Sequence, residues 1–161
     1  MIHDQPLLTY TSLSRRWLLI GVLSLAIAGL FSLVLVVART PSLANIPLFT
    51  RLFHEALVVH VDLSVLVWFL SIACLFWSMF SSQSRSFIPY VEEAAQGCFV
   101  AGMLAIAASV LDPKGEALMS NYIPVIMSPL FFLGLSLLLC GVGFIYCTAA
   151  QIMYETYIEV S

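Results

Sequence analysis

The chain has 161 residues, of which 61% are hydrophobic and 9% charged, with a net charge of −3 and a mean hydropathy of +1.04. That composition excludes an ordinary soluble domain and defines an integral membrane protein. The few charges are spread over loops and ends with no basic run, which excludes nucleic acid as a partner.

Residues 1–16 form a short polar leader with Asp4, Pro6 and the pair Arg15-Arg16, and His3 within it is given no role. The apolar run Trp17 to Ala38 is too long for the core of a signal peptide and reads as a retained first helix. Its small residues Gly21, Ser24, Ala28 and Ser32 share one face, where another helix can approach closely, while the opposite face meets lipid. Arg39 to Arg51, with Pro41 and Pro47, reads as the loop into a second helix.

That second helix, about 54–80, holds an ionisable pair, His60 and Asp62, deep in an apolar run. A charged side chain at such depth costs on the order of 2.5–3.5 kcal/mol even on lenient insertion scales, so the protein interior is expected to use it. At 100° per residue Ser64, Ser71, Cys74 and Ser78 all fall within about 40° of His60, whereas Asp62 lies at about 200°, near Phe69 and Phe76. Asp62 is therefore not the group that orients His60. It is expected to pair with Arg39 or Arg51, to lie on a proton path or to meet a partner subunit. A neutral imidazole in this setting can bind a heme iron or another metal through one nitrogen while the other donates to a backbone or hydroxyl oxygen; the plainer reading is a histidine bridging two helices. His54 lies six residues earlier, about 120° around the helix, which rules out an i,i+4 metal pair and leaves it at the interface, within reach of a heme propionate.

Ser81 to Pro89 is a polar loop. The third helix, about 92–111, carries Cys98, Gly102, Ala105 and Ser109 on one small-residue face, with Glu92 and Glu93 as solvated carboxylates at its start. Residues 112–129 are a polar connection with Tyr122 as an interface anchor, and a fourth helix, about 129–153, contains Gly134, Gly141 and Gly143. The four cysteines, Cys74, Cys98, Cys140 and Cys147, lie in apolar segments without a C-x-x-C pair, so they read as small core residues and neither a disulfide framework nor a zinc site is indicated. The expected fold is an all-α membrane protein, one domain over 1–161 with four transmembrane helices in a single bundle. Three basic residues on each side of the membrane leave the charge count tied, and the arginine pair before the first helix puts both termini on the cytoplasmic side.

The run ALVVHVDLSVLVWFL, residues 56–70, resembles the second helix of heme-copper oxidase subunit I, the catalytic subunit of cytochrome c oxidases and nitric oxide reductases. YIPVIMSPLFFLG, residues 122–134, is similar to the entrance of that family's fourth helix. The resemblance implies a chain equivalent to helices I–IV of subunit I, with His60 as one axial ligand of a low-spin b- or a-type heme shared with a partner chain. It also implies respiratory electron transfer in a bacterial or mitochondrial inner membrane. The chain departs from the family in having three histidines, too few for two hemes and a copper, so the copper site and oxygen chemistry would lie on a partner that carries the remaining helices. Val61 and Asp62 also stand where the family often has glycine after the ligand, and the third helix has no family motif. The expected function is thus a split or short subunit I, not catalytic alone. The alternatives are a non-catalytic membrane subunit or assembly factor without heme, or a small dimeric b-type cytochrome.

Overall fold

The computed structural model describes residues 5–42, 46–80, 88–119 and 124–160. The elements in order are α1 (Gln5–Ala38), α2 (Pro47–Val61), a π-helical segment (Asp62–Val67), α3 (Trp68–Phe80), α4 (Ile88–Ala108), a 3-10 turn (Ser109–Leu111), the short strands β1 (Ala117–Leu118) and β2 (Val125–Ile126), and α5 (Pro129–Val160). Four stretches are long and apolar enough to cross a membrane: Ser12–Ala38, Pro47–Met79, Tyr90–Leu111 and Pro129–Tyr154. The protein is an all-α, multi-pass membrane protein.

α1 begins at Gln5, so most of the expected polar leader is helical. Pro6 in the first turn removes only an N–H that a helix start leaves unsatisfied in any case. Pro47 opens α2 in the same way, preceded by Ile46 in an extended conformation, and carries the second helix back well before residue 54.

The outside differs from that of a water-soluble bundle. Leu30, Leu33, Val36 and Leu139 are at least 63% exposed, whereas Ser24, Ser71 and Ser109 are fully buried. Lipid takes the place of water outside, so apolar side chains gain nothing by hiding, and small polar ones let backbones approach. The first span packs along the whole second span and more lightly on α4, and α4 with α5 forms the tightest pair. Small residues make both seams. A Cβ on Gly21 would stand 2.7 Å from Ser71 Oγ; a Cβ on Gly102 would stand 2.8 Å from the Gly134 carbonyl oxygen, and one on Gly134 equally close to that of Gly102. The core between them holds Trp17, Phe99, Met103, Ile106 and Phe131, with Trp17 edge-on to Phe99 at 5.1 Å between ring centroids.

The connection between the third and fourth spans contains structure the polar sequence did not announce. β1 and β2 pair antiparallel, Ala117 with Ile126 and Leu118 with Val125. Ile126 is buried, and Ser128 Oγ donates to Asp112 Oδ2 at 2.6 Å, closing the loop on itself. Arg51 fastens it to α2 by donating from Nη1 to the Pro113 carbonyl at 2.7 Å and from Nη2 to that of Asp112. The expected anchor Tyr122, the centre of the Ser81–Pro89 loop and His3 lie outside the described residues. Cys74 is buried as expected, but Cys140 and Cys147 are exposed on the outer face of α5 and are not core residues.

Candidate functional site

His60 closes α2, and its half-buried side chain crosses to α1, where Nδ1 lies 2.8 Å from the Ala28 carbonyl oxygen. A carbonyl can only accept, so Nδ1 is the donor in this bond, which leaves Nε2 as the nitrogen that could ligate. The carbonyl is reachable because Ala28 has no bulk to hold the helices apart: it is 1% exposed, on the same small face as Gly21 and Ser24. Among the described residues Nε2 makes no hydrogen bond. Ser64 Oγ donates to the His60 carbonyl at 2.6 Å, joining His60 to the turn that follows.

That turn is the π-helical segment Asp62–Val67. A π turn adds a residue to the α register, occurs mostly as a single-turn interruption and is frequent at functional sites. Straight-helix geometry across it is therefore wrong in detail. Ser71, Cys74 and Ser78 are nevertheless buried together while Val65, Phe69 and Phe76 are exposed, as the serine stripe implies. Asp62 departs from that reading. Counted onto the same face as Phe69 and Phe76, it is 4% exposed where they are exposed, and its Oδ2 has no hydrogen-bond partner among the described residues.

Asp62 does not pair with either expected arginine among the described residues. Arg51 Nε bonds Glu55 Oε1 at 2.7 Å in addition to its loop contacts, and Arg39 lies over the Phe53 ring, 5.1 Å from its centroid. His54 is exposed, with Nδ1 2.8 Å from the Thr50 carbonyl oxygen of its own helix and its ring against Phe53. The structure thus does not bring His54, His60 and Asp62 together through any hydrogen bond among the described residues. No group of three or more His, Cys, Asp or Glu side chains in metal-binding array occurs among the described residues.

A second polar centre was missed. Glu92, expected to be solvated, is 2% exposed. Its Oε1 accepts from Trp17 Nε1 at 2.9 Å, and Ser78 hydrogen-bonds to it as well. Ser14 and Ser78 hydroxyls lie 3.1 Å apart, and Gln96 Nε2 donates to the Leu13 carbonyl at 3.0 Å. Glu93 alone is at the surface, paired with Arg16 at 2.8 Å. The signal was present in the spacing: Glu92, Gln96, Phe99, Met103 and Ile106 share one helical stripe, while Glu93 falls about 100° away. α4 begins at Ile88, so Glu92 stands inside the helix rather than at its entrance.

The fold and these two centres define a polytopic helical membrane protein with ionisable groups held between its spans. The chain is similar to an uncharacterized protein of Rickettsia prowazekii, 36% identical over 146 residues covering 78% of this chain and 29% of that protein. It is also similar to an uncharacterized protein of Aquifex aeolicus, 36% identical over 127 residues covering 78% of this chain and 31% of that protein. The chain therefore spans less than a third of the curated relatives it matches. No family model matches the chain, and no solved structure matches it.

Proposed function

We propose that this chain is the part of a larger membrane electron-transfer assembly that supplies His60 as one axial ligand of a low-spin heme, equivalent to the first four helices of a heme-copper oxidase subunit I. The observation that carries the reading is the His60 Nδ1–H···O=C bond to Ala28 at 2.8 Å. Ligating histidines characteristically donate the non-ligating N–H to a backbone carbonyl or carboxylate, which fixes the tautomer and aims the other nitrogen. The residues fit one axial position: an imidazole within a span whose Nδ1 is engaged by a backbone carbonyl, leaving Nε2 as the nitrogen that would ligate.

The second axial ligand would come from a partner polypeptide. A heme with both axial positions filled by histidine supplies one-electron transfer. His60 would hold the iron from one side, and α1 would keep the ring from rotating. The arrangement would sit in a bacterial or mitochondrial inner membrane with both termini on the cytoplasmic or matrix side.

A second reading rests on the same bond: a histidine that bridges α1 and α2 in a membrane subunit without heme. The two are separated by a reduced-minus-oxidised absorption spectrum of the chain purified in mild detergent with its co-purifying partners. A low-spin α-band in the native protein that is absent from an assembled His60→Ala variant supports ligation. A folded native complex without a heme signal leaves the bridging role.

A further inference from the structure

We propose that the groove between α1 and α4 is a binding site for one phospholipid with a zwitterionic, ammonium-bearing headgroup, of the phosphatidylethanolamine class. α1 and α4 touch only lightly, and the space they leave is a groove of about 610 Å³, walled by Leu19, Leu23, Val100 and Leu104 with Gly97 and Ala101 as part of its lining.

Its depth fits one lipid leaflet. From Glu93 at the mouth to Leu104 at the far end is 11 residues, about 16 Å of helix, half of the roughly 30 Å hydrocarbon core. Arg16 lies near the start of the first span and Glu93 near the start of the third, which puts the mouth at headgroup level.

The charges at the mouth select the headgroup. Arg16 Nη1 and Glu93 Oε1 are 2.8 Å apart with side chains 53% and 51% exposed, so both keep free hydrogen-bonding capacity. An ethanolamine headgroup offers an ammonium that donates to Glu93 and a phosphate that accepts from Arg16, matching both signs. A choline headgroup has no N–H to donate. A phosphoglycerol headgroup offers the same phosphate to Arg16 but brings no ammonium to Glu93, so its net negative charge is set beside that carboxylate. A protein helix in the groove would desolvate the Arg16–Glu93 pair, a penalty that attraction often fails to repay, whereas a lipid leaves it wet.

Gly97 provides a clean test, since a Cβ built there meets nothing within 4 Å. Gly97→Leu should put its side chain into the groove from a position where a Cβ meets no other atom. The chain with its co-purifying partners is delipidated in detergent, and phosphatidylethanolamine, phosphatidylcholine or phosphatidylglycerol is added in turn. Retained lipid is counted by native mass spectrometry. The expected result is one equivalent of phosphatidylethanolamine held at least tenfold more tightly than the other two, lost in Gly97→Leu, with the preference over phosphatidylcholine abolished in Glu93→Gln. Glu93 is a surface residue, so that variant reports even if Gly97→Leu fails to fold. Equal retention of all three lipids, no retained lipid, a polypeptide occupying the groove in their place, or unchanged retention in a folded Gly97→Leu protein would each overturn the proposal.

Discussion

His60 in the second span and Ala28 in the first are joined by a 2.8 Å hydrogen bond from an imidazole N–H to a backbone carbonyl, 32 residues apart in the chain. The bond uses one ring nitrogen only. A glutamine can donate to the same carbonyl but does not replace imidazole as a heme ligand. His60→Gln should therefore stay within about 0.5 kcal/mol of native stability, while His60→Ala loses about 1 kcal/mol. Both should lack the low-spin heme band. Detergent melting and absorption spectra on the same preparations check the pair; a heme band surviving in His60→Gln would remove His60 as a ligand.

Trp17 should matter more through its N–H than through its bulk. Trp17→Phe keeps a ring beside Phe99 but takes a donor from buried Glu92, which should cost about 1–3 kcal/mol. In the background of Glu92→Leu the same change should cost less, because no buried carboxylate is left wanting. A double-mutant cycle in denaturant or heat measures the coupling; a value near zero would show that the bond carries no stability.

The α4–α5 seam leaves no room for a methyl group. In Gly134→Ala the new carbon would sit 2.8 Å from the Gly102 carbonyl oxygen and 2.7 Å from Ile106 Cγ1. Separating the backbones should destabilise the protein by about 1–3 kcal/mol. Gly143→Ala, at a position with open space around the missing Cβ, serves as the control and should be neutral or slightly stabilising. Comparable melting temperatures for the two variants would contradict the seam.

Asp112 predicts acid sensitivity in the connection between the third and fourth spans. The Ser128 hydroxyl, then the Lys114 backbone N–H, with Arg51 and Lys114 charges nearby, hold its carboxyl below the usual carboxylate range. A pKa lowered by folding stabilises fully above the unfolded value of about 3.9 and loses that contribution as pH falls through the lower folded value. Melting curves from pH 6 to pH 2 should show an acid-linked loss that is smaller in Ser128→Ala. An identical pH dependence in that variant would break the link.

Asp62 holds a buried carboxylate oxygen without a partner among the described residues. Asp62→Asn keeps the shape and replaces that oxygen with a group that carries no charge, so it should raise melting stability, by on the order of 1 kcal/mol. A large loss of stability instead would mean that the carboxylate has a partner it needs.

The membrane class, the four apolar spans and the turning of His60 toward protein were all legible in the sequence, because each follows from local properties: apolar length, turn residues and an ionisable group where lipid penalises one. The small face of α1 was legible for the same reason, since Gly21, Ser24 and Ala28 repeat at helical spacing. The π-helical segment was not. It changes backbone register between Asp62 and Val67, so counting could not relate Asp62 to Phe69 and Phe76 beyond it, and Asp62 is buried while they are exposed.

Glu92 was misread because its environment belongs to other elements: Trp17 stands 75 residues away on α1, and Ser78 is on α3. The pairing of Gly102 with Gly134, the β1–β2 hairpin and the groove above Arg16 and Glu93 likewise depend on which helix lies beside which. Sequence by itself determined which side chains lipid would tolerate on this protein. Only the tertiary structure decided which polar groups found partners, because in a membrane the donor that satisfies a buried acceptor is set by helix packing and not by proximity along the chain.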